Sequence, residues 1–131
     1  MNITEITSVK KQINGRLRLA PYCRVSSDSA DQLHSFAAQI RYYSEYAKNH
    51  PEYELADIYA DEGITGTEMK KRDELTRLIT DCKKGKVDRV IVKSVSRLAR
   101  NTEELIVLLR LFKDLGVSVY FEEQGIDTEK L

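Results

Sequence analysis

The stretch Tyr22-Cys23-Arg24-Val25-Ser26 places a hydroxyl two residues after a guanidinium, at the end of a short apolar run. A polar stretch, Ser27-Asp28-Ser29-Ala30-Asp31, follows, and a helical pattern begins directly after it. Ser26 is therefore expected at the carboxyl end of a strand, beside a helix N-terminus. In open α/β sheets that is where ligands bind. Ser26 reads as a nucleophile and Arg24 as a phosphate clamp. Three further arginines, Arg72, Arg97 and Arg100, could complete the site. Arg97 and Arg100 are three apart and would share one face of a helical turn. Forked guanidinium donors hold non-bridging phosphate oxygens and neutralise charge that builds in the transition state. That is what phosphoryl transfer without a metal requires.

Each piece also has an ordinary reading. A serine after a strand is more often a turn or N-cap residue. Arg24 could pair with a carboxylate, and Arg97 and Arg100 could form a solvated helix face. Asp61-Glu62 could be a metal pair, although an acidic loop beside lysines is the commoner case. Lys83-Lys84-Gly85-Lys86 reads as a helix C-terminus. His34 and His50 have no ligand-like partner in spacing and read as surface residues. Neither a phosphate-binding P-loop nor a dinucleotide-binding glycine fingerprint is present.

The elements that must position these groups can be read from periodicity. Residues 1–15 show no sustained period and read as a flexible lead-in. The first strand spans about residues 17–25, with Pro21 placing its well-paired part at 22–25. Ser29-Ala30-Asp31-Gln32 has the form of a capping box. It is followed by Leu33, Phe36, Ala37, Ile40, Tyr43 and Ala47 at helical spacing, to about Lys48. Residues 53–60 form a second strand, and residues 61–67 a polar loop with two glycines. Arg72-Asp73-Glu74 opens a second helix, carrying Leu75, Leu78, Ile79 and Cys82 on one face. Residues 87–92 form a third, central strand. Asn101 or Thr102 caps a third long helix that ends at Gly116, and residues 117–121 form a fourth strand. The tail is polar and adds no helix. Alternation of strands and helices implies a largely parallel sheet covered by helices. Right-handed crossovers then put Ser26, Asp61 and the segment 93–100 on one sheet edge.

The 131 residues suit one domain. Cys23 and Cys82 read as buried thiols, which fits a cytoplasmic, reducing address. No apolar run approaches a membrane span, so no membrane partner is expected. The 21 basic and 21 acidic residues cancel. A freestanding nucleic-acid binder is usually basic, so a strong grip on DNA would have to come from elsewhere.

Taken together, these segments resemble the catalytic domain of the serine recombinases, the resolvase/invertase superfamily, and within it the large serine integrases and transposon recombinases. Tyr22–Ser26 resembles the motif with the nucleophilic serine. Gln39 falls where the family places a polar residue on its first helix. Tyr59-Ala60-Asp61-Glu62-Gly63-Ile64-Thr65-Gly66 resembles the second motif, and Lys71-Arg72-Asp73-Glu74-Leu75 the segment with a third active-site arginine. Lys93-Ser94-Val95-Ser96-Arg97-Leu98-Ala99-Arg100-Asn101 is similar to the last motif. The resemblance covers about residues 17–128. It implies a three-layer α/β/α, resolvase-like fold with a mostly parallel sheet of four to five strands, over residues 16–131. It implies that Ser26 attacks a DNA phosphodiester and forms a 5′-phosphoserine linkage. Arg24, Arg72, Arg97 and Arg100 would be catalytic. Gln39, Asp61, Lys93 and Ser96 would support them or the DNA phosphate. No metal or cofactor is implied.

Two features depart from the small resolvases and invertases. Ser96 stands where those enzymes usually carry an aspartate, and the interval from Ser26 to Gln39 is longer. The family also continues into a long helix that drives dimer and synaptic tetramer assembly, and then into DNA-binding modules. The chain is accordingly expected to be a catalytic-domain piece of a longer recombinase of double-stranded DNA, inactive in recombination by itself. The alternatives are a non-catalytic DNA-associated regulator on the same fold, and a flavodoxin-like or receiver-like binding domain. Retention of the serine and arginines weighs against the first. A receiver would need clustered acids after the first strand, where Arg24 and Ser26 stand instead.

Overall fold

The computed structural model describes residues 15–26, 32–63 and 72–130. Nearly all of the expected lead-in lies outside them, as do residues 27–31 and 64–71. The strands are β1 (Leu17–Val25), β2 (Tyr53–Leu55), β3 (Tyr59–Glu62), β4 (Arg89–Val92), β5 (Ser118–Phe121) and β6 (Ile126–Asp127). The helices are α1 (Phe36–Asn49), α2 (Asp73–Lys83), the short α3 (Val95–Leu98) and α4 (Thr102–Asp114), with a 3₁₀ turn at Thr128–Lys130.

β1 is the strand around which the sheet is built. It pairs in parallel with β2 and β3 along one side and with β4 along the other. β5 continues the sheet in parallel beyond β4, and β6 closes that edge antiparallel. Two cores fill the faces. Ala20, Tyr22, Val90, Val92, Val119 and Phe121 pack against α2 and α4, through Leu75, Leu78, Leu108 and Phe112. Leu19, Cys23 and Ile91 pack on the opposite face around Tyr43 of α1. The result is the expected three-layer α/β/α arrangement with a mostly parallel sheet.

The strand count rises from the expected four to five to six, for two local reasons. The run at residues 53–60 divides into β2 and β3, with residues of neither strand between them, where the Asp57 carboxylate accepts the Ile58 N–H at 2.8 Å. The tail, which had no expected structure, adds β6. Pro21 also differs from expectation, since β1 is paired before it as well as after it. Leu17, Leu19 and Val25 bond toward the β2/β3 side. By alternation the Pro21 nitrogen faces that side too. It falls opposite the break between β2, which pairs with residues 17–19, and β3, which pairs with residues 22–25. The missing N–H is therefore not missed.

α1 begins later than its apolar period suggested. Ser35 is the N-cap and accepts the Ala38 N–H at 3.1 Å. Leu33 and His34 form a turn before it, and Leu33 is exposed. α4 is capped as expected by Asn101, whose side chain accepts the Glu104 N–H at 2.8 Å.

Candidate active site

Ser26 follows the last residue of β1, and both strand-end residues are pinned from neighbouring loops. The Ser26 N–H donates to the His34 carbonyl at 2.7 Å, and the Gly63 N–H donates to the Val25 carbonyl at 2.8 Å. One bond ties the serine to the approach to α1, and the other ties β1 to the end of β3. Ser26 is half-buried.

Arg24 lies against Gly63. A Cβ at position 63 would collide with Cγ and Cδ of Arg24, so the glycine is there for close approach. The Arg24 guanidinium is held below its usual range, first by burial and then by the positive charges of Arg97, Arg72 and Arg100. The Nε of Arg24 is buried and has no hydrogen-bond partner among the described residues. Four arginines from β1, α3, the N-terminus of α2 and the segment before α4 thus act on one another electrostatically. A concentrated positive field of this kind is costly unless an anion completes it.

Arg72 is placed by its surroundings. Its guanidinium donates through Nη1 to Glu104 at 2.5 Å and through Nη2 to the Leu98 carbonyl, and it lies over the Tyr22 ring. Its Nε is likewise buried and unpartnered among the described residues. Glu104 also accepts the Arg100 backbone N–H at 3.0 Å and pairs with its guanidinium at 3.7 Å. Arg100 is otherwise exposed.

Beside Arg24 and Arg97 opens a cavity of about 380 Å³, lined also by Cys23, His34, Gln39, Tyr42, Tyr43 and Lys93. Lys93 sits 4.2 Å from the centre of the Tyr42 ring. The phenols of Tyr42 and Tyr43 both donate to Glu122, at 2.5 and 2.7 Å, fastening α1 to the end of β5. Gln39 donates to the Leu33 carbonyl at 3.2 Å. Rival nucleophiles near the site are silent. Burial, then the charge of Glu122, push the Cys23 thiol up to about 12. Burial, then its bond to Asp61, push the Tyr22 phenol above its usual range. Both stay protonated at neutral pH, and neither is an activated nucleophile.

The two other residues expected to support the DNA phosphate, Asp61 and Ser96, lie in different surroundings. Asp61 is buried, and both of its carboxylate oxygens are occupied. It accepts the Tyr22 hydroxyl at 2.6 Å and the N–H groups of Glu74 and Leu75 at 2.9 and 3.1 Å. It is the cap of α2, a role that Arg72, in the N-cap position, does not fill with its own side chain. Ser96 is exposed on α3, with its hydroxyl 3.1 Å from that of Ser94. His34, read as a surface residue, contributes its carbonyl to Ser26 and lines the cavity. Sequence reasoning passed over Glu104. The form Asn101-x-x-Glu104 signals a helix start, but no local pattern links position 104 to Arg72. Among the described residues, no group of three or more His, Cys, Asp or Glu side chains is placed to hold a metal ion.

Comparison with known proteins is consistent with this geometry. Residues 19–131 match the family model described as the resolvase N-terminal domain. A resolvase/recombinase of Pseudomonas putida is 32% identical over 113 residues, covering 86% of the chain and 55% of the relative. The chain thus spans about half the length of that relative. Among solved structures, the N-terminal catalytic domain of TP901-1 integrase is similar with a TM-score of 0.72 and 27% identity, over 86% of the chain and 82% of the integrase domain. A resolvase family site-specific recombinase from Streptococcus pneumoniae has a TM-score of 0.72 and 31% identity, over 88% of the chain and 78% of its own. The C-terminal catalytic domain of ISC1926 TnpA, an IS607-like serine recombinase, has a TM-score of 0.65 and 25% identity, over 81% and 67%.

Proposed function

The chain belongs to the serine recombinases, as a resolvase-type catalytic domain, and from that premise we propose that Ser26 is the nucleophile that cleaves a DNA strand. The Ser26 Oγ attacks a phosphodiester phosphorus, the bond from phosphorus to the 3′ oxygen breaks, and the released 3′-hydroxyl carries away a proton. The 5′ end stays on the enzyme as phosphoserine. A 3′-hydroxyl from the exchanged strand then attacks the same phosphorus and frees the serine. The covalent bond keeps the phosphodiester energy through the exchange, so no energy source is consumed.

The observation that carries this reading is that Arg24 and Arg97 line one cavity at the strand end that leads to Ser26, while Arg72 and Arg100 are held together by Glu104. The two buried Nε groups, unpartnered among the described residues, supply donors that a phosphate could satisfy. Gln39 and Lys93, in the adjoining cavity, would contact the flanking backbone. Asp61 would act through α2, and Ser96 from the exposed surface of α3. The wider assignment follows the same family. Residues 16–131 are the catalytic unit of a longer recombinase, residues 1–15 are its lead-in, and dimer and synaptic tetramer assembly on double-stranded DNA belong to the full-length protein.

The test is a suicide DNA substrate that traps the covalent adduct of the full-length protein. Wild type should form a protein–DNA adduct at the 5′ end that alkali releases by β-elimination at the phosphoserine, and Ser26→Ala should form none. An adduct that persists in the alanine variant refutes Ser26 as the nucleophile.

A further inference from the structure

Glu104 is the one carboxylate among the described residues that ion-pairs with two of the four converging arginines. Its ionisation is held below the usual glutamate range. Burial opposes that, but the Arg100 N–H and the positive charge of Arg72 outweigh it. We infer that Glu104 is a positioning residue for strand cleavage, acting through Arg72 and Arg100 without touching DNA. The inference rests on the cleavage reading given above.

The geometry gives the reason. Arg72 stands where α2 begins, and its guanidinium reaches across to α3 and α4. There Leu98 offers a carbonyl and Glu104 a carboxylate, and each takes one terminal nitrogen. With both ends of the fork fixed, the buried Nε and the remaining N–H groups keep one orientation. The second carboxylate oxygen keeps the Arg100 guanidinium at 3.7 Å, although that side chain is half exposed and otherwise free to swing. A single acid thus couples two phosphate-binding arginines on different elements. It also offsets part of a four-fold positive charge that would otherwise splay the side chains apart before DNA arrives.

Glu104 additionally caps α4 through the Arg100 backbone N–H, so the test must separate positioning from helix stability. Glu104→Gln is the informative variant. Its amide oxygen still accepts from that N–H, while the charge that holds both guanidiniums is lost. Asn101→Ala is the control, because it removes the other cap of the same helix and touches none of the arginines. Single-turnover adduct formation on the suicide substrate is measured for the full-length protein and each variant, together with DNA affinity and thermal unfolding. Misplacement of a catalytic group by about 1 Å costs on the order of 100-fold in rate, and Glu104→Gln is expected to slow cleavage by at least about tenfold. Its DNA affinity should change less than about threefold, since phosphate contacts elsewhere dominate binding. Asn101→Ala should unfold earlier and cleave at the wild-type rate. In Arg72→Ala, adding Glu104→Gln should cost much less than it does in wild type, because the group it positions is gone.

Wild-type or faster cleavage by Glu104→Gln overturns the inference, the faster case marking Glu104 as a restraint on the arginines. Equal slowing by Asn101→Ala also overturns it, in favour of helix capping alone. If wild type forms no Ser26-dependent adduct, the cleavage reading itself fails, and that outcome is visible before any Glu104 variant is compared.

Discussion

Arg24 reaches its neighbours only because residue 63 has no side chain. The contact falls on Cγ and Cδ of a flexible arginine, not on backbone, so an added methyl group displaces Arg24 and leaves the strand pairing intact. Gly63 does not lie in the left-handed backbone region. Gly63→Ala therefore separates site geometry from folding. We expect strand cleavage to fall by roughly 100-fold, the scale set by a displaced catalytic group, with a shift in folding free energy below about 1 kcal/mol. Adduct formation at the wild-type rate by a folded Gly63→Ala protein would show that Arg24 is not needed where it lies. A second nucleophile beside Arg24 is held out of competition with the serine proposed to act. Cys23 lines the same cavity but stays a protonated thiol, because burial and the nearby acid of Glu122 both oppose its ionisation.

The placement of Arg72 depends on how α2 starts. Asp61 ends β3 and accepts two N–H groups from the first turn of α2 as well as the Tyr22 hydroxyl of β1. One carboxylate therefore joins three elements. Asp61→Ala strands three donors, two of them buried, and should destabilise the fold by about 2–4 kcal/mol, from a lost cap and charged hydrogen bonds. Asp61→Asn, whose amide oxygen can still accept from the helix, should cost less than half of that. Urea unfolding of both variants checks the order, and equal losses would mean that the cap contributes little. The elements themselves were legible wherever periodicity or a cap spoke locally. The apolar face Leu75, Leu78 and Cys82, the cap at Asn101 and the alternating order all hold. What the sequence concealed depends on distant partners. Pro21 sits in a central strand because its neighbour strand is broken there. Asp61 looked like a loop acid because its helix partners lie thirteen residues away. At the site, the serine and arginines were legible as residue types, but Glu104 acquires its role only once α2 and α4 are packed.

On the scale of the whole molecule, the charges cancel while their distribution does not. Positive charge gathers at the strand end with Ser26, and acid–base pairs elsewhere are largely structural. One such pair, Arg89 with Asp127, ties the last strand to the sheet. Arg89 is a buried arginine in the centre of the sheet, and it donates from Nη1 and Nη2 to the two Asp127 oxygens at 3.0 and 2.9 Å. Its guanidinium also lies over the Tyr120 ring, 5.3 Å from the centre. A buried guanidinium without its acid is expensive, so this pair draws the chain back after Gly125 into β6. The Arg89 bond holds the Asp127 carboxyl below the ordinary aspartate value of 3.8, against the opposing effect of burial. A depressed folded value means that the unfolded chain binds protons more readily. The pair's stabilisation is therefore complete above that ordinary value and is lost as pH falls through the lower, folded one. Asp127→Asn should cost about 1.5–3 kcal/mol at neutral pH, the range for hydrogen bonds to charged groups. The wild-type and variant stabilities should then converge as the medium is acidified through the folded value. Chemical unfolding of both proteins at a series of pH values measures the gap. A gap that stays constant down to the acid limit would show that the Asp127 charge does not hold β6 to the sheet.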